Sequence, residues 1–470
     1  MRTTTGERRR GARGRRRALL GTASALTAVT AVTALATTAP GQPAGRATAA
    51  SADGGVPVRE LDRAARDLAE PGPNGGLREL ARAADGAKVV GLGEATHSSR
   101  EFFTTKQRVF AHLVKHRGFR TFALETSWST GRLLNDYVLH GRGDPRAIMS
   151  REFQYNYRFW NTREYLDLVR WMRAYNEAHP DPADKLRFLG NDLGFTGSEL
   201  YDAVVAHARK RDPALAARLE RLYRGLRPAP GTGTRKFSED WLGASKSVRE
   251  DRAARAAEAL ELLKRHGGAG ARGSAQAWAV QHARAIRQTA YAFSLDVQDE
   301  REFARQMRFR DRSMARNTVW WNENVGDTIV LSSHNSHITY VAEDPARFPE
   351  PVGSFLREML GRDFVSVGTT FDSGSFNARE EDFGGPVRRF AVGPARPGTV
   401  ESGLERVRHE DYVLDLRKAP PKARAWLERE HPLVHNIGLT FPVKTHRVSL
   451  AASYDVVLHF SRVHAAQLLP

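Results

Sequence analysis

From residue 58 onward the chain alternates short, fully apolar runs with longer stretches in which apolar residues recur every three or four positions. That is the pattern of buried parallel strands separated by helices. The spacing over Val58 to Leu68 predicts a short amphipathic helix, followed by a Pro/Gly/Asn loop at 71–76. Lys88 to Leu92 predicts a strand, 98–116 a helix stopped by Gly118, and Phe119 to Glu125 a second strand. A strand–helix–strand unit of this kind predicts parallel neighbours. Asn161 to Glu164 reads as a capping box ahead of a helix carrying Tyr165, Leu168, Val169, Met172 and Tyr175, and Leu186 to Leu189 as a third buried strand ending in Gly190-Asn191-Asp192.

From 197 to 324 the period is helical throughout, in four long stretches broken at 227–234, 267–273 and 298–301. The sheet resumes at 327–333, and a helix near 354–360 and strands near 363–368, 411–416 and 454–460 close the chain. The predicted fold class is therefore α/β: a mainly parallel sheet flanked by helices, with a large helical insertion and a smaller C-terminal mixed α/β region. In residues, 1–52 is a signal peptide and linker, 53–196 the first part of the core, 197–325 the insertion, and 326–470 the second part of the core with the mixed region.

The first segment changes how the charge is read. It holds an arginine cluster ending Arg15-Arg16-Arg17, a stretch rich in Ala, Thr, Leu and Val, and Ala-x-Ala sites at 47–49 and 50–52. This is the layout of a cleaved export signal, and Arg16-Arg17-Ala18-Leu19-Leu20 fits the twin-arginine type. Nine arginines against one glutamate give residues 1–52 a net +8 of the formal +18, leaving about +10 on the mature chain. The remaining basic residues are interspersed with acidic ones and form no basic stripe, so no nucleic-acid partner is expected. After cleavage no stable membrane association is expected either. The absence of cysteine excludes thiolate catalysis and cysteine metal sites.

The chemistry lies at strand ends, where open α/β sheets hold reacting groups. Glu94 and His97 follow the first strand within Gly93-Glu94-Ala95-Thr96-His97, Glu125 ends the second, Asp192 the third, and His334 and His337 follow the strand at 327–333. His97, at a helix start, is the candidate general base, with Glu94 or Glu125 to orient it and His334 or His337 to polarise a carbonyl or protonate a leaving group. Ser98 and Ser99 read as helix caps rather than nucleophiles, because neither sits in a Gly-x-Ser-x-Gly elbow. Lys106 is a candidate cationic partner for Glu125 or for an oxyanion. Phe153, Tyr155, Tyr157, Phe159 and Trp160 either floor a substrate pocket or pack the sheet against its helices. The same Glu and His side chains are also good ligands for zinc or manganese, so a metal-dependent hydrolase or peptidase is the competing reading; a noncatalytic ligand-binding protein is a third. The expected enzyme uses no cofactor and no metal.

Gly93 to His97 with Arg100-Glu101-Phe102-Phe103, Phe122-Ala123-Leu124-Glu125, Trp160-Asn161-Thr162, Trp171 to Asn176 and His334-Asn335-Ser336-His337, in this order and spacing, resemble the erythromycin esterase family. The similarity runs from about residue 60 to about 465 and includes Asp415-Leu416-Arg417 and Tyr454 to Phe460. The resemblance implies an α/β core with a helical insertion, and hydrolysis of an ester or macrolactone, of a macrolide for example, by activated water. It implies His97 as base, with Glu94, Glu125, His334 and His337 completing the site. Lys106 stands where characterised resistance enzymes carry arginine, which keeps the charge and loses the bidentate fork.

Overall fold

The computed structural model describes residues 55–70, 72, 75–380 and 385–470, so the expected export signal and part of the expected 71–76 loop lie outside the described residues. Its centre is one ten-stranded sheet. In chain order the strands are β1 (Arg66–Asp67), β2 (Val89–Leu92), β3 (Thr121–Ser127), β4 (Arg187–Asp192), β5 (Ile329–Ser332), β6 (Phe364–Glu380), β7 (Val387–Val392) and β8 (Asp411–Asp415). They are followed by β9 (His431–Leu433), β10 (Thr440–Phe441), β11 (His446–Val448) and β12 (Val456–Val463). Strand order is β1-β8-β12-β6-β2-β5-β3-β4, with β7 and β10 pairing on β6, while β9 and β11 form a separate two-stranded antiparallel sheet. The six strands from β12 to β4 are parallel; β8 and β1 run antiparallel at one edge. Every residue of β2, β3 and β5 is buried, because helices cover both faces.

Several expectations change. β2 and β3 are parallel but not neighbours: β5, more than two hundred residues further along, is hydrogen-bonded to both. The predicted helix over Val58 to Leu68 stops at Ala64 as α1 (Val58–Ala64), and Arg66–Asp67 supplies the edge of β8 with a partner. The strand expected near 363–368 continues for 17 residues, to Glu380. Its Gly374 has φ +134°, and a Cβ there would come 2.0 Å from the Val463 carbonyl oxygen, so close approach of β12 requires glycine. Because β6, β8 and β12 lie in the main sheet, the C-terminal mixed part is an extension of that sheet.

The helices that flank the first half are α2 (Gly76–Ala83), α3 (Arg100–Arg117), α4 (Trp128–His140), α5 (Pro145–Glu152) and α6 (Arg163–Ala178). Gly118 ends α3 in a left-handed conformation, and Thr162 caps α6 by accepting from the Tyr165 amide. Residues 198–325 form six helices rather than four: α7 (Ser198–Arg209), α8 (Pro213–Tyr223), α9 (Thr234–Leu242), α10 (Lys246–Gly267), α11 (Ala275–Ser294) and α12 (Glu300–Val325). They share a core with the sheet through Ala123, Ile329, Leu331 and Phe364. After β5 come the one-turn helix α13 (Asn335–Ile338) and α14 (Val352–Leu360). No helix among the described residues is long and apolar enough to cross a membrane.

Candidate active site

Placing β5 between β2 and β3 brings three strand ends together, and the candidate residues meet there. Gly93 lets this happen: a Cβ on it would sit 2.2 Å from Asn335 Oδ1. Asn335 in turn donates to the Thr369 carbonyl (2.7 Å) and accepts from the Thr369 amide (3.0 Å), tying the turn after β5 to β6.

Glu94 is fully buried and His97 is 5% exposed. His97 Nδ1 lies 2.9 Å from Glu94 Oε1, so Nδ1–H donates to the carboxylate and Nε2 keeps a lone pair. The imidazole packs on Phe159 (centroids 6.1 Å) and against the edge of Trp160 (5.3 Å), which places these two rings in the wall of the site. Tyr157 instead donates to Asp192 (3.0 Å), and Tyr155 to Glu239 (3.0 Å).

Lys106 is buried, one face of α3 carrying it back over the end of β2. It donates to Glu94 Oε2, to Ser332 Oγ (2.9 Å) and to the Ser333 carbonyl (3.4 Å). Its partner is thus Glu94 rather than Glu125, because Glu94 precedes the helix that bears it. Burial draws the ammonium below its usual range, while Glu94 opposes that shift. Breaking a buried pair of this kind by removing one partner costs about 3–5 kcal/mol.

Glu125 does not touch His97. The register of β3 against β4 shifts between Leu124 and Ser127, and this irregularity re-aims Glu125 toward the turn after β5. Its Oε2 accepts from Ser333 Oγ (2.7 Å) and from the His334 amide (3.2 Å); its Oε1 accepts from Arg310 Nη2 (2.8 Å) and lies 3.3 Å from His337 Nε2. Burial pushes this carboxyl up, but His337 and Arg310 outweigh it and hold it well below the usual carboxylate range.

The two histidines after β5 divide. His337 sits between Asp311 (Nδ1–Oδ1 2.9 Å) and Glu125; burial works against its charge, yet the two carboxylates lift it to about 10. Arg310 Nη1 also approaches its Nε2 (3.2 Å), so the ring is enclosed by Asp311, Glu125 and Arg310 and is committed to structure. His334 is buried too, its ring centroid 4.8 Å from that of His97. Burial, and then the neighbouring His97, hold it well below the usual histidine range. Its Nδ1 accepts from the Ser336 amide at 3.1 Å, capping α13, so the neutral ring carries its proton on Nε2. That Nε2 is buried with no well-formed hydrogen bond, and the Ile437 backbone, the least of the influences on this ring, raises its pKa only slightly against the others.

Arg310 and Asp311 carry no strand-end signal. Arg310 pairs with Asp192 through Nε (2.9 Å) and Nη2 (2.7 Å) as well as with Glu125, so α12 closes the site from the insertion side. Three cationic partners, Lys106, Arg310 and His337, face four buried carboxylates, Glu94, Glu125, Asp192 and Asp311. Among the described residues no group of three or more His, Asp or Glu side chains is placed to hold a metal ion; the donors are turned toward one another. Ser99 stands at the N-cap position of α3 but makes no capping bond: its Oγ meets Thr96 Oγ1 (2.6 Å), and Ser98 Oγ accepts from Asn377 (2.9 Å). Neither serine contacts a histidine in these hydrogen bonds. His112 lies against His116 along α3, ring centroids 4.3 Å apart and tilted by 43°.

Comparison with known proteins follows the same lines. The chain is 24% identical over 340 residues to the erythromycin esterase type II of Escherichia coli, covering 67% of this chain and 78% of that protein. A Bacillus cereus protein of known crystal structure superposes with a TM-score of 0.77 at 26% identity, over 88% of this chain and 98% of that one. A crystal structure described as a succinoglycan biosynthesis protein gives 0.75 at 25%, with the same coverage of each. The profile of the erythromycin esterase family matches residues 114–463, a span that begins inside α3 and contains Glu125, Asp192, Arg310, His334 and His337. Such relatives support a hydrolase role, and the chain belongs to the erythromycin esterase family.

Proposed function

We propose that the protein is an exported carboxylic ester hydrolase in which His97 activates water against an ester or macrolactone bond. The observation that carries this reading is the pair of neighbouring imidazoles in opposite hydrogen-bonding roles. Held by Glu94 on Nδ1, His97 offers a lone pair on Nε2; held by the Ser336 amide on Nδ1, His334 offers a proton on Nε2. One accepts and the other donates, as general-base attack on a carbonyl requires.

In the proposed reaction His97 Nε2 takes a proton from water as its oxygen bonds to the ester carbonyl carbon. The oxyanion that forms accepts from His334 Nε2–H. Glu94 stabilises the His97 imidazolium, and Lys106 fixes Glu94 from its other oxygen. When the C–O bond to the alcohol breaks, the imidazolium returns its proton to the departing alkoxide. His334 does not serve as that acid, because a proton on its Nδ1 would face the Ser336 N–H, a donor that cannot reverse. Glu125, with Arg310 and His337 behind it, positions the turn that carries His334.

The substrate is a small-molecule ester, a macrolide among the candidates, met outside the cytoplasmic membrane after twin-arginine export. The test uses protein recovered from culture supernatant, whose N terminus mass spectrometry should place near Ala50 or Asp53. Incubated with a panel of macrolides and aryl esters, it should release the corresponding acid from at least one. An intact Met1 confined to the cytosol would remove the export claim, and no acid from any ester would remove the activity.

A further inference from the structure

The helical insertion carries a second charged cluster that the reaction does not use. Arg284 and Arg287 lie one turn apart on α11, and Arg312 and Arg316 one turn apart on α12. Arg312 is two residues on from Arg310 and so projects from the opposite side of α12, away from Glu125 and Asp192. The Arg287 guanidinium spans the two helices, 5.6 Å from the Tyr291 ring of α11 and 5.4 Å from the Phe309 ring of α12. Arg312 reaches across to α14, 6.0 Å from the Phe355 ring.

None of these four arginines has an ion-pair partner among the described residues. Arg284, only partly exposed, donates to the neutral Gln281 Oε1. Glu261 and Glu358 lie within Coulombic reach, but Glu261 is engaged by Lys264 and no hydrogen bond joins Glu358 to Arg316. On the same helix, by contrast, Arg308 is paired with Glu350 and Arg310 with Asp192. Burial and then Arg316 hold Arg284 below the usual guanidinium range; burial, Arg312 and Arg287 do the same to Arg316. Like charges gathered with no ion-pair partner weaken the folded state, and aromatic faces offset only part of that cost. A ligand bearing several negative oxygens removes the repulsion and engages the planar forks two bonds at a time.

We propose that Arg284, Arg287, Arg312 and Arg316 form a binding site for a multivalent oxyanion, of phosphate or carboxylate type, on the outer side of α11 and α12. The site is separate from the ester-cleaving centre and is independent of that reading. Titration calorimetry of the full chain at low salt, with inorganic pyrophosphate and in parallel with linear polyphosphate, tests it. The wild type should bind at least one of them; pyrophosphate binding identifies a free anion as sufficient, and binding of polyphosphate alone identifies a polymer-borne one. Arg284→Gln with Arg316→Gln should weaken that binding by at least about tenfold, the scale of one lost charged hydrogen bond. Arg221→Gln with Arg265→Gln, an equal change in net charge elsewhere on the insertion, should not. If the first pair fails to fold, Arg284→Lys with Arg316→Lys, which keeps the charge and removes the forks, should still weaken binding. No binding of either anion by the wild type, or an equal loss in the Arg221/Arg265 variant, overturns the site.

Discussion

His97→Ala should lower turnover of a susceptible ester by at least about 100-fold while leaving the melting temperature close to that of the wild type. The magnitude is the one expected for removing a positioned general base, about 10²–10⁴-fold. Folding should survive because Glu94 keeps Lys106, its cationic partner, and the vacated space borders Phe159 and Trp160, which pack elsewhere in the core. His112→Ala is the matched control, since that ring lies along α3 against His116 and not at the strand ends. Steady-state kinetics on both variants decide the point: a folded His97→Ala enzyme with near-normal turnover removes His97 from the mechanism.

His334→Asn should cost about 10²–10³-fold in kcat with little change in KM, the signature of a lost donor to the oxyanion. Asparagine is chosen because its Oδ1 can still accept from the Ser336 amide and cap α13, as the His334 ring does, but it does not reproduce the ring's Nε2–H. Because burial and His97 keep His334 neutral, that donor is present throughout the neutral range, and the loss should not depend on pH there. A rise in KM at unchanged kcat would instead make His334 a ground-state binding residue. A loss recovered at low pH would make it an acid.

Much of this centre is visible in the amino-acid sequence because buried parallel strands are apolar until they end. Glu94, His97, Glu125, Asp192, His334 and His337 each follow such a run, and the structure places all six at one edge of the sheet. Which of them touch was not legible. The order of parallel strands leaves no mark on apolar runs that are alike, so nothing in 327–333 announces that β5 enters between β2 and β3. That insertion, with the register shift beside Glu125, gives His97 to Glu94 and sends Glu125 to the turn bearing His334. Arg310 is hidden for a different reason. It stands among Arg301, Arg305, Arg308, Arg312 and Arg316 on a helix that reads as solvated, and only packing against Asp192 and Glu125 distinguishes it. The length of β6 was equally concealed, since its Thr, Ser, Asp and Asn residues read as loop until neighbours on both sides bury them.

In the proposed reaction, activation of the water rests on protein side chains alone. This reliance is tested most directly by assaying purified enzyme after exhaustive chelation, with elemental analysis of the same sample. Transition-metal content should be near zero and ester hydrolysis full, unchanged by added zinc or manganese. Loss of activity on chelation, restored by either metal in step with its uptake, would contradict it and make the Glu and His cluster a metal centre.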